Sequence, residues 1–279
     1  MNTKIAQVFP RRTRATPDDP LVFTAPPSKI LPEADEVHIS VAFSYDRDKA
    51  ERLAEAWRRT GLPVKMGGPT YNEPGGAFMP GLYLRKGYVI TSRGCSRKPA
   101  CWFCSVQNRE GSLRELPVTE GHIVLDDNLL ACSEAHIRNV FFMLKGQAEK
   151  PVFTGGLDAG LLKTWHVELL REVKTRRMYF AYDNPSEYEA LVHAGRLLRD
   201  GGVSKASSVA RAYVLIGFPG DTMEKAEKRL RDAWAAGFFP YSMLYRNEQG
   251  EVRDDWKRFQ RIWLRPQIVY SLLREGKDA

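Results

Sequence analysis

Short apolar runs alternate along the chain with stretches whose apolar residues recur every three or four positions. VHISVAF (37–43) has the apolar character of a strand, and Ala50, Leu53, Ala54 and Trp57 then fall on one face of a helix. LPVKM (62–66) returns as a strand. Residues 36–81 are therefore predicted to form a small β-α-β unit ending in a Pro/Gly-rich linker, PTYNEPGGAFMPG. Residues 1–35, rich in proline and charge, are predicted to be an irregular arm.

The same alternation runs through 82–246. YVIT (88–91), HIVLDDN, PVFTGG, MYFAYDN, RAYVLIGFPGD and PYSMLY are six candidate strands with helices between the later ones. Ile137, Val140, Phe141 and Leu144 make the face of a helix capped by Ser133, and Leu162, Trp165, Leu169 and Val173 the face of the next. Capping boxes are predicted at Ser186/Glu189 and Asp221/Glu224. In the C-terminal helical segment, 247–279, Trp256, Phe259 and Trp263 share a face that needs a surface to cover. Alternating strands and helices imply a parallel α/β fold, and six such strands an open or closed barrel with its chemistry at the carboxyl ends.

Those ends are polar or glycine-rich: Cys95 to Cys104, then Asp126-Asp127-Asn128, Gly155-Gly156, Asp183-Asn184, and Gly217 to Asp221. Each taken singly is also what an ordinary turn selects, and Tyr182-Asp183-Asn184-Pro185 has the form of an Asx-Pro turn.

A chain of 279 residues, 43% of them hydrophobic, can bury a large core without disulfides. Its formal net charge of +8 permits an anionic partner without requiring one. The excess gathers at 85–114, where seven Lys/Arg face one acid, Glu110. No apolar run approaches the roughly 18 residues of a membrane span, and the first residues lack a signal peptide's apolar stretch. A cytoplasmic protein with no membrane partner is expected.

Three of the 4 cysteines, Cys95, Cys101 and Cys104, stand at the spacing C-x5-C-x2-C. In a reducing compartment such a group points to metal or redox chemistry rather than disulfides. A structural zinc site is closed by four ligands. No second cysteine pair exists here, and His122 and His136, which could each supply a fourth ligand, lie within or beside regular elements. A 4Fe–4S cluster takes one thiolate per iron, so three cysteines leave one iron open to an exogenous ligand. Cys132 stands apart and is expected to be a packed thiol.

SRGCSRKPACWFC, IVLDDN, VFTGGLDAGLL and YVLIGFPGDT, in that order, resemble the radical SAM superfamily, most closely the branch often fused to a cobalamin-binding module. The loop is two residues longer than the commonest family spacing, and Asp126-Asp127-Asn128 stands where the family usually has Gly-Gly-Glu. The resemblance implies a partial (β/α)6 barrel with the small β-α-β unit as an N-terminal extension. It implies a 4Fe–4S cluster on Cys95, Cys101 and Cys104 and S-adenosylmethionine as cosubstrate, cleaved reductively to a 5′-deoxyadenosyl radical. It places Trp102 and Phe103 against the adenine, Asp126, Asp127, Asn128, Gly155 and Gly156 near the methionine end, Tyr182, Asp183 and Asn184 near the ribose, and Gly217 at a close backbone approach. An electron donor such as flavodoxin or ferredoxin is implied. Cobalamin is expected to be absent: the family's Asp-x-His-x-x-Gly motif is missing, and His38 lies inside a strand.

Arg97 and Lys98 have two accounts: they offset the negative charge of a thiolate-ligated cluster, or they contact an anionic substrate. A small-molecule or locally anionic substrate is preferred to nucleic acid, because the sequence shows no interleaving of basic and aromatic residues. The alternative function is a non-catalytic iron-sulfur or zinc protein that binds an anionic partner such as nucleic acid through its basic patch.

Overall fold

Two parallel sheets, one of four strands and one of six, carry the fold of the computed structural model. The chain's two units span Met1–Gly121 and His122–Ala279, and the structure describes residues 3–72, 74–204 and 207–275. Residues 1 and 2 of the predicted arm, residue 73 of the linker and 276–279 of the C-terminal segment lie outside the described residues. Parallel strands joined by helices confirm the α/β class.

In the first unit β1 (Ile5–Val8), β2 (Val22–Phe23), β3 (Glu36–Ser40) and, after helix α1 (Arg47–Arg58), β4 (Val64–Gly67) form one sheet in the order β2-β1-β3-β4. Residues 3–35 are therefore not the irregular arm predicted, because β1 is an inner strand paired with β2 and β3. Its four residues, IAQV, are too short to show a period. Their one polar side chain, Gln7, is satisfied by accepting the Tyr83 N–H at 2.8 Å. The predicted face of α1 is buried: Ala50, Leu53, Ala54 and Trp57 pack with Ala6, Val8, Val37 and Ile39. The unit continues through β5 (Tyr88–Val89), β6 (Ser92–Arg93), α2 (Val106–Glu110) and β7 (Arg114–Glu115).

The second unit runs β8 (Ile123–Val124), α3 (Glu134–Lys145), β9 (Val152–Leu157), α4 (Thr164–Glu172), β10 (Arg177–Ala181), α5 (Tyr188–Asp200), β11 (Ala210–Ile216), α6 (Met223–Ala235) and β12 (Phe239–Leu244), followed by α7 (Asp254–Trp263) and α8 (Pro266–Glu275). Strands β8 to β12 lie side by side in chain order, all parallel. Right-handed crossovers with no reversal of order lay successive helices on the same face of a sheet. The packing of α3 on α4, α4 on α5 and α5 on α6 agrees with that arrangement. In β11 Ala210, Ala212, Val214 and Ile216 are buried in strict alternation with half-buried Arg211, Tyr213 and Leu215.

Local chemistry matches the sequence at α3, where Ser133 Oγ accepts the His136 N–H at 3.2 Å and the predicted apolar face is buried. It differs elsewhere. Of the predicted α4 face Leu162 and Val173, flanking the helix, are buried, but within it the buried residues are His166, Val167 and Leu170, and half-buried Trp165 lies under the Arg138 guanidinium at 4.9 Å. Neither capping box forms. Asn184 caps the 3₁₀ turn that Pro185 opens, and Thr222 caps α6, which leaves Asp221 to a buried ion pair with Arg229 at 2.9 Å. The aromatic face of α7 does cover the sheet: Trp256 and Trp263 are buried, and Gln260 donates to Ser242 O at 3.1 Å.

His166 gives this unit an acid limit. Its Nδ1 accepts the Lys163 N–H at 3.0 Å, so the neutral ring carries its proton on Nε2, which is buried with no hydrogen-bond partner among the described residues. Burial, with Lys163 adding to it, pushes the imidazole pKa down to about 4. The unfolded chain then binds more protons between roughly pH 6.5 and the folded value. Denaturant midpoints should fall progressively as pH drops from about 6.5 towards 4, and His166→Gln should flatten that slope.

Candidate metal centre

The cysteine loop hangs from a narrow base. β6 and β7 pair antiparallel, Ser92 with Glu115 and Arg93 with Arg114, and the Leu116 N–H donates to Thr91 O at 2.8 Å. Gly94 turns the chain at φ 83°, where an added Cβ would stand 2.4 Å from Ser112 O, so only glycine fits. On the far side the Gln107 amide donates to Arg97 O at 2.6 Å and Cys95 O at 3.3 Å, drawing the loop backbone toward α2. The Cys104 N–H donates to Cys101 O at 3.0 Å, the tight turn that places two thiols on one bend. All three cysteines are half-buried and none is in a disulfide. Between the second and third, Trp102 is 63% exposed and meets Phe103 edge-on at 5.4 Å.

Beneath the loop lies a buried carboxylate. Glu110 accepts from Arg109 Nε at 3.0 Å, Arg114 Nη2 at 3.1 Å, Arg93 Nη1 at 3.4 Å and the Gly75 N–H at 2.9 Å. Burial raises its pKa, but the Gly75 N–H and the arginines outweigh burial and leave the carboxyl below its ordinary range. Three of the basic residues that crowd this stretch are thus held by its one acid, and the group keeps a net positive charge. Gly75 belongs to the Pro/Gly-rich linker, which is fixed here: a Cβ on it would stand 2.3 Å from the Arg93 guanidinium carbon. Sequence reasoning misses Glu110 and Gln107, although a lone acid among seven cations is the signal of a buried hub.

The other predicted site residues follow strands of the second unit. Asp126 and Asn128 are buried and Asp127 half-buried after β8. Gly155 and Gly156 do not end the third strand; they lie inside β9 at a bulge, where the β10 register shifts between Met178 and Phe180. A Cβ on Gly155 would collide with Asp126 O at 1.9 Å, whereas that of Gly156, at φ 96°, would meet open space. Tyr182 is fully buried and donates to Asp232 of α6 at 3.3 Å, because it follows β10 in phase with the helix-facing Met178 and Phe180. Asp183 Oδ1 accepts the Leu215 N–H at 2.7 Å, and Asn184 Oδ1 accepts the Ser186 N–H at 3.0 Å, the ordinary Asx turn. Gly217 does permit a close approach, but by the indole of Trp256, whose ring carbons would lie 3.0 Å from a Cβ.

The chain matches no protein-family model and no curated protein.

Among the described residues no three Cys, His, Asp or Glu side chains converge on a point suited to one ion. A 4Fe–4S cluster makes a different demand, one thiolate for each of several separate irons. Three cysteines on one pinned loop, over a positively charged base, fit that demand in kind and number. His122 and His136 are not needed for it.

Glu110→Ala would leave Arg93, Arg109 and Arg114 without their shared partner, and should lower unfolding free energy by about 3 kcal/mol in urea. The acid dependence has a defined sign. A carboxyl that is more acidic folded than unfolded stabilises fully above about pH 4.3 and less as pH falls through its folded value, so a Glu110→Gln chain should lack that loss.

Proposed function

We propose that the protein is a radical SAM enzyme whose Cys95, Cys101 and Cys104 hold a 4Fe–4S cluster. The observation that carries the proposal is the set of three half-buried cysteines gathered on one loop, its base fixed by Glu110. The unreversed order of β8 to β12 supports a partial (β/α)6 barrel, since that order is the one such a barrel needs. Bound there, the cluster would supply the single electron that reductive cleavage of S-adenosylmethionine requires, the source of a 5′-deoxyadenosyl radical.

The chain's own part is to bind and orient. Trp102 and Phe103 offer exposed ring faces for the adenine. Asp127 and Asn128 are the candidates for the methionine end, and the bare backbone at Gly156 suits close approach. Tyr182, Asp183 and Asn184 are the candidates for the ribose, and of these Asp183 has its carboxylate at the end of β10, where it accepts the Leu215 N–H. The substrate in this proposal is small or locally anionic, the donor a flavodoxin or ferredoxin, and the compartment the cytoplasm. No helix among the described residues is long and apolar enough to cross a membrane. Cobalamin has no role in it, and His38 contacts Tyr83 and the Glu36 carboxylate, at 3.0 Å for the latter.

Anaerobic reconstitution should yield about four irons per chain. Cys95→Ala, Cys101→Ala or Cys104→Ala should each abolish the brown chromophore, while Cys132→Ala, at a buried position, should keep the iron content. Stoichiometric zinc without iron would refute the proposal and favour the non-catalytic alternative.

A further inference from the structure

The sheet of the first unit has a reversal in its strand order. Its order, β2-β1-β3-β4, reverses between β1 and β3: the chain leaves β1 toward one side and β3 toward the other. In open parallel sheets ligands bind outside the carboxyl ends of the strands at that reversal. The segments that leave those ends carry an alternation of cations and rings that the sequence hides, because its members are about thirty residues apart. Arg11 follows β1, Phe43, Tyr45 and Arg47 follow β3, and Tyr71 follows β4. Phe43 and Tyr45 stack with ring centroids 5.2 Å apart and planes within 9°. The Arg11 guanidinium lies 5.1 Å from the Tyr45 centroid and 6.0 Å from that of Phe43, and Arg47 lies 5.6 Å from Tyr71.

This band is held in place. Arg11 donates twice to the buried Asp46, at 2.8 Å from both Nε and Nη2. Arg47 donates to Thr70 Oγ1 at 3.0 Å and to the Thr70 carbonyl. The guanidinium positions are therefore fixed before any ligand arrives. In the segment that Arg11 opens, Arg12 forms only an exposed pair with Asp18, and Arg14 is exposed with no ion-pair partner among the described residues. Phe43 remains 39% exposed.

We propose that this rim binds single-stranded nucleic acid, bases stacking on the Phe43/Tyr45 pair and phosphates meeting Arg12 and Arg14. Ring faces accept any base and exposed guanidinium groups follow a backbone, the combination by which single strands are held. Double-stranded nucleic acid keeps its bases stacked on each other and cannot use the rings. The proposal is independent of S-adenosylmethionine chemistry and names a partner class that the sequence disfavoured for want of basic-aromatic interleaving.

Fluorescence anisotropy of the full chain with a labelled, mixed-sequence single strand of roughly 20 nucleotides tests it, with the matching duplex as comparison. Binding should be tighter for the single strand and weaken steeply between about 50 and 200 mM salt. Phe43→Leu should weaken it roughly tenfold at fixed salt. Arg12→Ala/Arg14→Ala should reduce the salt slope by about one for each phosphate that is no longer neutralised. Phe43→Trp, which keeps a stacking face, should bind at least as well as the unaltered chain, and it separates lost stacking from lost folding. No binding at low salt, equal binding of the duplex, or Phe43→Leu binding like the unaltered chain would each overturn the proposal.

Discussion

One buried carboxylate organises the region on which the proposed chemistry depends. Glu110 gathers Arg93 from the strand entering the cysteine loop, Arg109 from the helix after it, Arg114 from the returning strand and the Gly75 backbone from the preceding linker. A long loop closed by one two-residue strand pair would otherwise be poorly defined, since such a short hairpin is marginal in water. A charged hub desolvated in this way is costly unless every lone pair is matched. Here the donors come from four places along the chain, so satisfying the carboxylate also fixes the two ends of the loop relative to each other. The surplus positive charge that remains suits an anionic, thiolate-bound occupant.

The two sheets illustrate different ways of exposing strand ends. In the second unit the order never reverses, and the polar residues after β8 to β11 lie along one edge. In the first unit the order reverses once, and the flanking segments carry fixed arginines over aromatic rings. The two edges offer unlike chemistry: carboxylates, amides and bare backbone in one case, guanidinium groups and ring faces in the other. That contrast is why the binding proposal for the first unit stands apart from the one for the cysteines.

Long periodic segments were legible in the sequence. The buried face of α1, the Ser133 cap and face of α3, and the aromatic face of α7 follow from spacing alone, because those helices are ten or more residues long and strongly two-sided. β1 was not legible: four residues between a charged start and a proline give no period, and its place inside a sheet is decided by β3. The caps failed for a related reason. Asp221 had the right spacing to cap α6, yet a buried Arg229 eight residues on competes for it and wins with two charge-assisted bonds. Among the site residues, the cysteine trio was evident from spacing, whereas the direction of Tyr182 depended on strand phase, and the neighbour of Gly217 proved to be Trp256. Cation and ring pairs such as Arg11 with Tyr45 are invisible until the fold brings β1 and β3 together.

The most direct test of the central claim is the product of S-adenosylmethionine under anaerobic reduction of the reconstituted protein. Accumulation of 5′-deoxyadenosine, lost when Cys95, Cys101 or Cys104 is replaced by Ala, is the predicted result. A protein carrying its full iron content that leaves S-adenosylmethionine intact under those conditions would contradict it.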